Sequence, residues 1–265
     1  MSILLIGYDV EHWDSKITQV FLQKVRQIHN DLNVPYTLFV VGETLEKNIS
    51  EFQRIAQDKQ IDIQQHTYSH LLLKTVVMES KNKVEIFKGG TLEQIREEVG
   101  KTNELLKKYL GVKCMGLTAP YGYYRGLSDR PDILQILHDL GIRFTRTYAR
   151  NEKDYQPVSF EIQPFWYEVQ GFPYILEFPI QGWQDLYLRR ELGWKNKEGY
   201  LEEVKKSIEY IKERDLDWCY VQHDHSSIKE DPNMEMTRNF IQYALDKGVT
   251  FTSYKNYYNK KMKEK

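Results

Sequence analysis

Apolar residues along the chain fall into two alternating patterns. Short runs at 3–8, 36–41, 61–65, 113–117, 142–148, 174–180, 218–222 and 249–253 are continuous or alternate every second residue, as strands require. The segments between several of them repeat instead at three to four residues. From 15 to 31, Ile17, Val20, Phe21, Val25 and Ile28 trace one helical face, interrupted only by the stem of Lys24. Further helices are predicted from Gly42 to about 58, from Thr91 to 110, after Pro131 to 141, from 198 to 214 and from 234 to 247. Thr91 and Gln94 stand at capping-box spacing, and Gly111 ends that helix. Strand and helix alternate through about seven β/α units, which predicts an α/β fold with a parallel sheet or barrel. Residues 74–90 read as a long loop with a short strand at 84–87. A Pro, Gly and Tyr-rich loop runs to 130, and 151–171 reads as an insertion with some β structure.

No repeat or linker divides the chain, so residues 1–255 are expected to form one domain, with 256–265 a solvated basic tail. Apolar residues make up 41% and charged residues 28%, with a net charge of -1, so a nucleic-acid or acidic-membrane partner has no electrostatic support. Cys114 and Cys219 each sit in a short apolar run and are expected as buried thiols. The first apolar run is too short for a signal peptide and no stretch is long enough to span a membrane, so a cytoplasmic location is expected. The oligomeric state is open.

In a parallel α/β barrel, functional groups collect where strands end. Three ends carry chemistry: Asp9-Val10-Glu11-His12-Trp13-Asp14, His66-Thr67-Tyr68-Ser69-His70 and His223-Asp224-His225. Two histidines four apart share one side of a helical turn and can converge on a cation, although the same spacing serves a hydrogen-bonded surface pair. Asp9 and Glu11, two apart on an extended segment, project together, so one can bind metal while the other acts as a base. Two solvated acids at a helix N-terminus are the alternative.

These motifs, in this order, resemble the polysaccharide deacetylase (NodB-homology) family. Gly7-Tyr8-Asp9-Val10-Glu11 is similar to its acidic first motif, and HTYSH at 66–70 matches the second letter for letter. Thr118-Ala119-Pro120-Tyr121-Gly122 is similar to the third, Arg-x-Pro-x-Gly, except at its first residue. The apolar run from Cys219 into His223-Asp224 is similar to the last. The resemblance implies a distorted (β/α)7 barrel of the NodB-homology type. It also implies a metal-dependent hydrolase that removes an acyl group, N-acetyl first, from a sugar or glycan. By the same resemblance Glu11, His66 and His70 bind a divalent metal ion, with Asp14 the alternative third ligand. Zinc is the first expectation, although cobalt, nickel and iron suit the same donors. Asp9 then activates metal-bound water, His223 protonates the leaving group, and the Tyr121 backbone N–H donates to the developing oxyanion. Trp13, Pro120 and Tyr121 are expected to touch substrate.

The family's third motif begins with an Arg that orients the catalytic Asp, and this chain has Thr118 there; Arg125, Arg143 and Arg146 are the candidates to replace it. The family's Asp beside the acid His is also missing from the strand at 142–148, and Asp185 is its candidate stand-in. The missing Arg leaves open a non-catalytic or weakly active metal-containing glycan-binding protein. Hydrolysis of a non-sugar amide by the same site is a further alternative, because the motifs do not select the acyl acceptor.

Overall fold

The computed structural model describes residues 1–80 and 83–265. The chain opens with β1 (Ile3–Val10), α1 (Ser15–Leu32), β2 (Tyr36–Val40), α2 (Gly42–Lys47), α3 (Ile49–Ile55) and β3 (Ile61–Gln65). An antiparallel hairpin follows, β4 (Val76–Ser80) and β5 (Lys83–Phe87), then α4 (Leu92–Leu110), β6 (Gly116–Tyr124), α5 (Pro131–Asp139) and β7 (Phe144–Arg150). β8 (Phe165–Tyr167) and β9 (Phe172–Glu177) lead to α6 (Asp185–Leu192), α7 (Lys197–Arg214), β10 (Trp218–His223), α8 (Asp224–Lys229), α9 (Glu235–Asp246), β11 (Thr250–Phe251) and α10 (Tyr254–Glu264).

Seven strands run parallel in the order β10-β1-β2-β3-β6-β7-β9, with β8 antiparallel at the edge and β11 beside the start of β1. No backbone ladder joins β9 to β10 among the described residues. Side chains bridge this seam instead: the Cys219 N–H donates to Gln181 Oε1 at 2.8 Å, the Trp218 indole to Gln181 O at 2.9 Å, and the His223 N–H to Asp185 Oδ2 at 2.9 Å. This is the expected distorted barrel of parallel strands with helices outside.

The strand period sorts most of the core into two clusters, with Ala149, Ile180 and Val221 forming a small third. In β1, Leu4, Ile6, Tyr8 and Val10 pack outward with the helices. Leu5 packs inward with Phe39, Phe144 and Cys219. Both cysteines are free and buried, as expected. The Thr91 capping box forms, and Gly111 takes the left-handed conformation that ends α4.

Five segments differ from the sequence reading. Residues 256–265 are no tail, because they belong to α10, whose Tyr254, Tyr257 and Tyr258 recur at helical spacing and are buried in the inner cluster. Their burial against Phe144 and Phe178 closes the floor of the barrel, and only the lysine face is left to solvent. The loop at 74–90 is largely the β4–β5 hairpin; residues 81–82 between the two strands lie outside the described residues. β6 runs on to Tyr124, past the expected start of a loop, because Tyr123 and Tyr124 rejoin β7 after a bulge. α6 and α8 were not foreseen. No helix among the described residues is long and apolar enough to cross a membrane.

Candidate active site

The ends of β1 and β3 bring together Glu11, His66 and His70, whose ligand atoms lie within 4.8 Å of one another. His66 Nε2 is 3.0 Å and His70 Nε2 2.9 Å from Glu11 Oε2. His66 Nδ1 lies 3.0 Å from Thr118 O. A carbonyl only accepts, so Nδ1 carries the proton in the neutral ring and Nε2 turns a lone pair toward a carboxylate oxygen. Two electron-rich atoms so placed need a positive species between them, so the donor set fits a cation. Burial works to raise the Glu11 carboxyl, but the hydrogen bonds from His66 and His70 outweigh it and hold it well below the usual range. For His66, burial opposes protonation, and the charges of Asp9 and Glu11 overcome it and push the imidazole up.

The two histidines do not share a helical turn, contrary to the reason their spacing suggested. Residues 66–70 form a tight loop in which Thr67 (φ 60°) and His70 (φ 62°) are left-handed, and the rings meet edge to face at 4.8 Å. Two non-glycine residues held in this sparsely populated region point to a loop fixed by its surroundings. Glu98 of α4 accepts from the Tyr68 N–H at 2.9 Å, the Ser69 N–H at 2.7 Å and the Ser69 hydroxyl at 2.8 Å.

Asp9 and His223 are register partners on β1 and β10. His223 Nε2 is 3.9 Å from Asp9 Oδ2. The other Asp9 oxygen accepts from Arg146 Nη2. Arg146, fully buried on β7, also donates from Nε to Thr118 Oγ1 at 3.1 Å and lies over the Phe39 ring at 4.3 Å. Of the three arginines considered for the missing motif position, only Arg146 reaches Asp9. Its room depends on Gly7, because a Cβ there would lie 2.5 Å from Arg146 Nη1.

His223 Nδ1 is 2.6 Å from Asp185 Oδ1, and Ser226 Oγ donates to the other oxygen of that fully buried carboxylate. Burial alone would depress His223, yet the Asp185 charge and hydrogen bond prevail and push it up to about 10. Asp185 therefore stands where the sequence offered it as a stand-in.

The cleft enclosing these groups has a volume of about 380 Å³. Met78 and Phe87 of the hairpin wall one side and Leu186 and Tyr187 of α6 another. Tyr121 borders the cluster, its ring 6.2 Å from His70 and 5.0 Å from Phe87. Its backbone is left-handed (φ 65°), and buried Arg150 donates to the carbonyls of Tyr121 and Gly122 at 3.3 and 3.1 Å, which fixes this turn. Gly122 is also left-handed (φ 60°), and a Cβ there would strike Ala149.

Three expected residues fall outside the site. Trp13 is 76% exposed, stacks on His12 and does not line the cleft. Asp14 does not join the Glu11–His66–His70 cluster: its carboxylate accepts from the Lys16 N–H at 2.9 Å and caps α1. Pro120 is buried behind the wall that Ala119, Tyr121 and Gly122 present. Sequence reasoning assigned no role to His225; it foresaw the strand at 84–87 but neither its pairing with β4 nor the cleft walls that the hairpin and α6 supply.

Comparison with known proteins agrees with this architecture. The family model described as polysaccharide deacetylase matches residues 11–145, just over half of the chain. A probable polysaccharide deacetylase from Pseudomonas aeruginosa superposes with a TM-score of 0.71 at 15% identity, over 97% of this chain and 89% of that one. A putative polysaccharide deacetylase from Mycobacterium smegmatis gives 0.68 at 16% identity, with coverages of 97% and 89%. A CE4 family pseudoenzyme from Bacillus anthracis gives 0.59 at 14% identity; 96% of this chain is matched, but it spans only 64% of that relative. No curated protein sequence matches significantly. At these identities the structural likeness establishes the fold alone, and the sequence match extends it to kinship: this chain belongs to the polysaccharide deacetylase family.

Proposed function

We propose that the chain is a metal-dependent hydrolase that removes an N-acyl group, N-acetyl first, from a sugar or glycan. The observation that carries this reading is the gathering of Asp9, His223 and the Glu11–His66–His70 cluster in one small cleft. Glu11, His66 and His70 would hold a divalent cation, zinc first, which would supply the positive charge to acidify a water and polarise the acyl oxygen. Asp9 takes the proton from that water as its oxygen bonds to the acyl carbon. Arg146 grips one Asp9 oxygen and leaves the other toward the reaction. The Tyr121 N–H donates to the acyl oxygen as negative charge grows there. His223, pushed up to about 10, is protonated at neutral pH and gives its Nε2 proton to the nitrogen as the carbon–nitrogen bond breaks. Asp185 holds Nδ1, so Nε2 is the end that delivers. An amine and a carboxylate leave.

Protein loaded with one equivalent of zinc is expected to release acetate from N-acetylated sugars, to stop on chelation and to resume when zinc is returned. Asp9→Asn should keep the metal and lose turnover by about 10²–10⁴-fold. Full activity in metal-loaded Asp9→Asn protein would overturn the assignment.

A further inference from the structure

The catalytic groups give the cleft a direction. In amide hydrolysis the acid stands beside the departing amine, so, resting on the function proposed above, the amine-bearing part of the substrate lies against the elements around His223. The acyl part lies toward His70 and Tyr121. Around His223 stand α6, whose Asp185 holds the imidazole, and the start of α8. Tyr187 and Arg190 of α6 and His225 of α8 line the same cleft, and α6 packs against both β10 and α8.

Arg190 is exposed, and among the described residues its guanidinium has no carboxylate or hydrogen-bond partner; the Tyr187 ring lies 5.7 Å away. The adjacent acid, Glu191, is taken by the Tyr155 hydroxyl at 2.7 Å. His225 Nδ1 lies 3.4 Å from Asp224 Oδ1, a buried carboxylate, and its Nε2 has no protein partner among the described residues. Apart from Asp9 and Glu11, the acid lining the cleft is Glu85, which sits on the hairpin and pairs with Lys83 at 2.6 Å. The amine side thus presents a planar cation without a partner among the described residues, and an imidazole whose Nδ1 faces Asp224 and whose Nε2 is open. A guanidinium is the side chain best matched to the paired oxygens of a phosphate or carboxylate.

We propose that the amine-bearing half of the substrate carries an anionic group, a phosphate or a carboxylate, bound by Arg190 with His225 beside it. A neutral glycan leaves this pair unused. The cleft, at about 380 Å³, lies at the small end of ligand sites, which suits a single charged amino sugar at the reacting position.

Calorimetric titration of the zinc-loaded protein with deacylated amino sugars tests this. The probes are glucosamine, its phosphate monoesters and the carboxylate-bearing muramic acid, and the two anionic arms separate phosphate from carboxylate. At least one anionic amine is expected to bind about tenfold or more tightly than glucosamine. Arg190→Gln should erase that preference and leave glucosamine binding unchanged, while Arg125→Gln, outside the cleft, should preserve it. Equal affinity for neutral and anionic amines, or a preference that survives Arg190→Gln, would overturn the subsite. Acetate release from the N-acetylated forms, measured in parallel, separates the two claims. Anion-dependent binding without release counts against the hydrolase and for the subsite; release that ignores the anion counts against the subsite alone.

Discussion

Asp62 and Asp9 are carboxylates on inward-facing positions of the barrel, both almost wholly buried, one at the floor and one at the mouth. At the floor, Asp62 accepts from Gln64 Nε2 at 2.6 Å, Thr37 Oγ1 at 3.1 Å and the Lys255 N–H at 3.2 Å, so it ties β2, β3 and the start of α10 together. Both of its oxygens are occupied. At the mouth, Asp9 has one oxygen on Arg146, and among the described residues the other meets only His223, at 3.9 Å. A polar group that is buried and fully bonded holds structure, whereas one that is buried and half bonded has capacity left for a ligand.

This contrast can be broken by substitution. Arg146→Met removes the cation from Asp9 and strands a buried charge; turnover is expected to fall about 10²-fold and stability by about 3–5 kcal/mol, read by acetate release and urea unfolding. Unchanged values for both would detach Asp9 from Arg146.

Asp185→Asn takes away the carboxylate that raises His223. Because a raised pKa keeps the acid protonated into the alkaline range, its loss should move the basic limb of the kcat/KM profile from the region of 10 down toward the ordinary imidazole value, with about a tenfold loss of rate at mildly alkaline pH. A limb that stays in place would show that another group is the acid.

Asp62→Asn should cost about 1–3 kcal/mol of stability and leave turnover per folded molecule intact. Burial raises this carboxyl above its ordinary value, against the hydrogen bonds that lower it. The native state therefore binds the proton more readily, and the stability this linkage supplies is full below about 3.9 and disappears as pH rises through the folded value. Wild-type protein should gain more stability on mild acidification than Asp62→Asn does; equal gains would show that Asp62 does not titrate as its burial implies. The smallest effect belongs to Trp13→Ala, expected within about 0.5 kcal/mol in stability and without change in kcat/KM. A large rise in KM would return Trp13 to the substrate site.

Much of this arrangement was legible where the code is local. Strand runs, the Thr91 cap and the acidic and histidine motifs at strand ends depend on neighbours in sequence, and they lie where expected. What escaped depends on register or on burial by distant elements. Arg146 and Asp9 meet because β1 and β7 each turn alternate residues inward, a coincidence of phase between two non-adjacent strands. Lysines masked α10, although Tyr254, Tyr257 and Tyr258 already carried a helical spacing. The hairpin escaped because Val77, Val84 and Ile86 are exposed and its other face is a cleft wall, so neither side follows the usual apolar-in rule.

The pairing of β1 with β10 carries a kinetic consequence. Asp9 and His223 lie far apart in sequence yet become ladder partners, so the loop-closure entropy of the long segment between them must be overcome before they face each other. Their juxtaposition therefore comes late in folding, and a nascent chain without β10 carries Asp9 with no imidazole beside it.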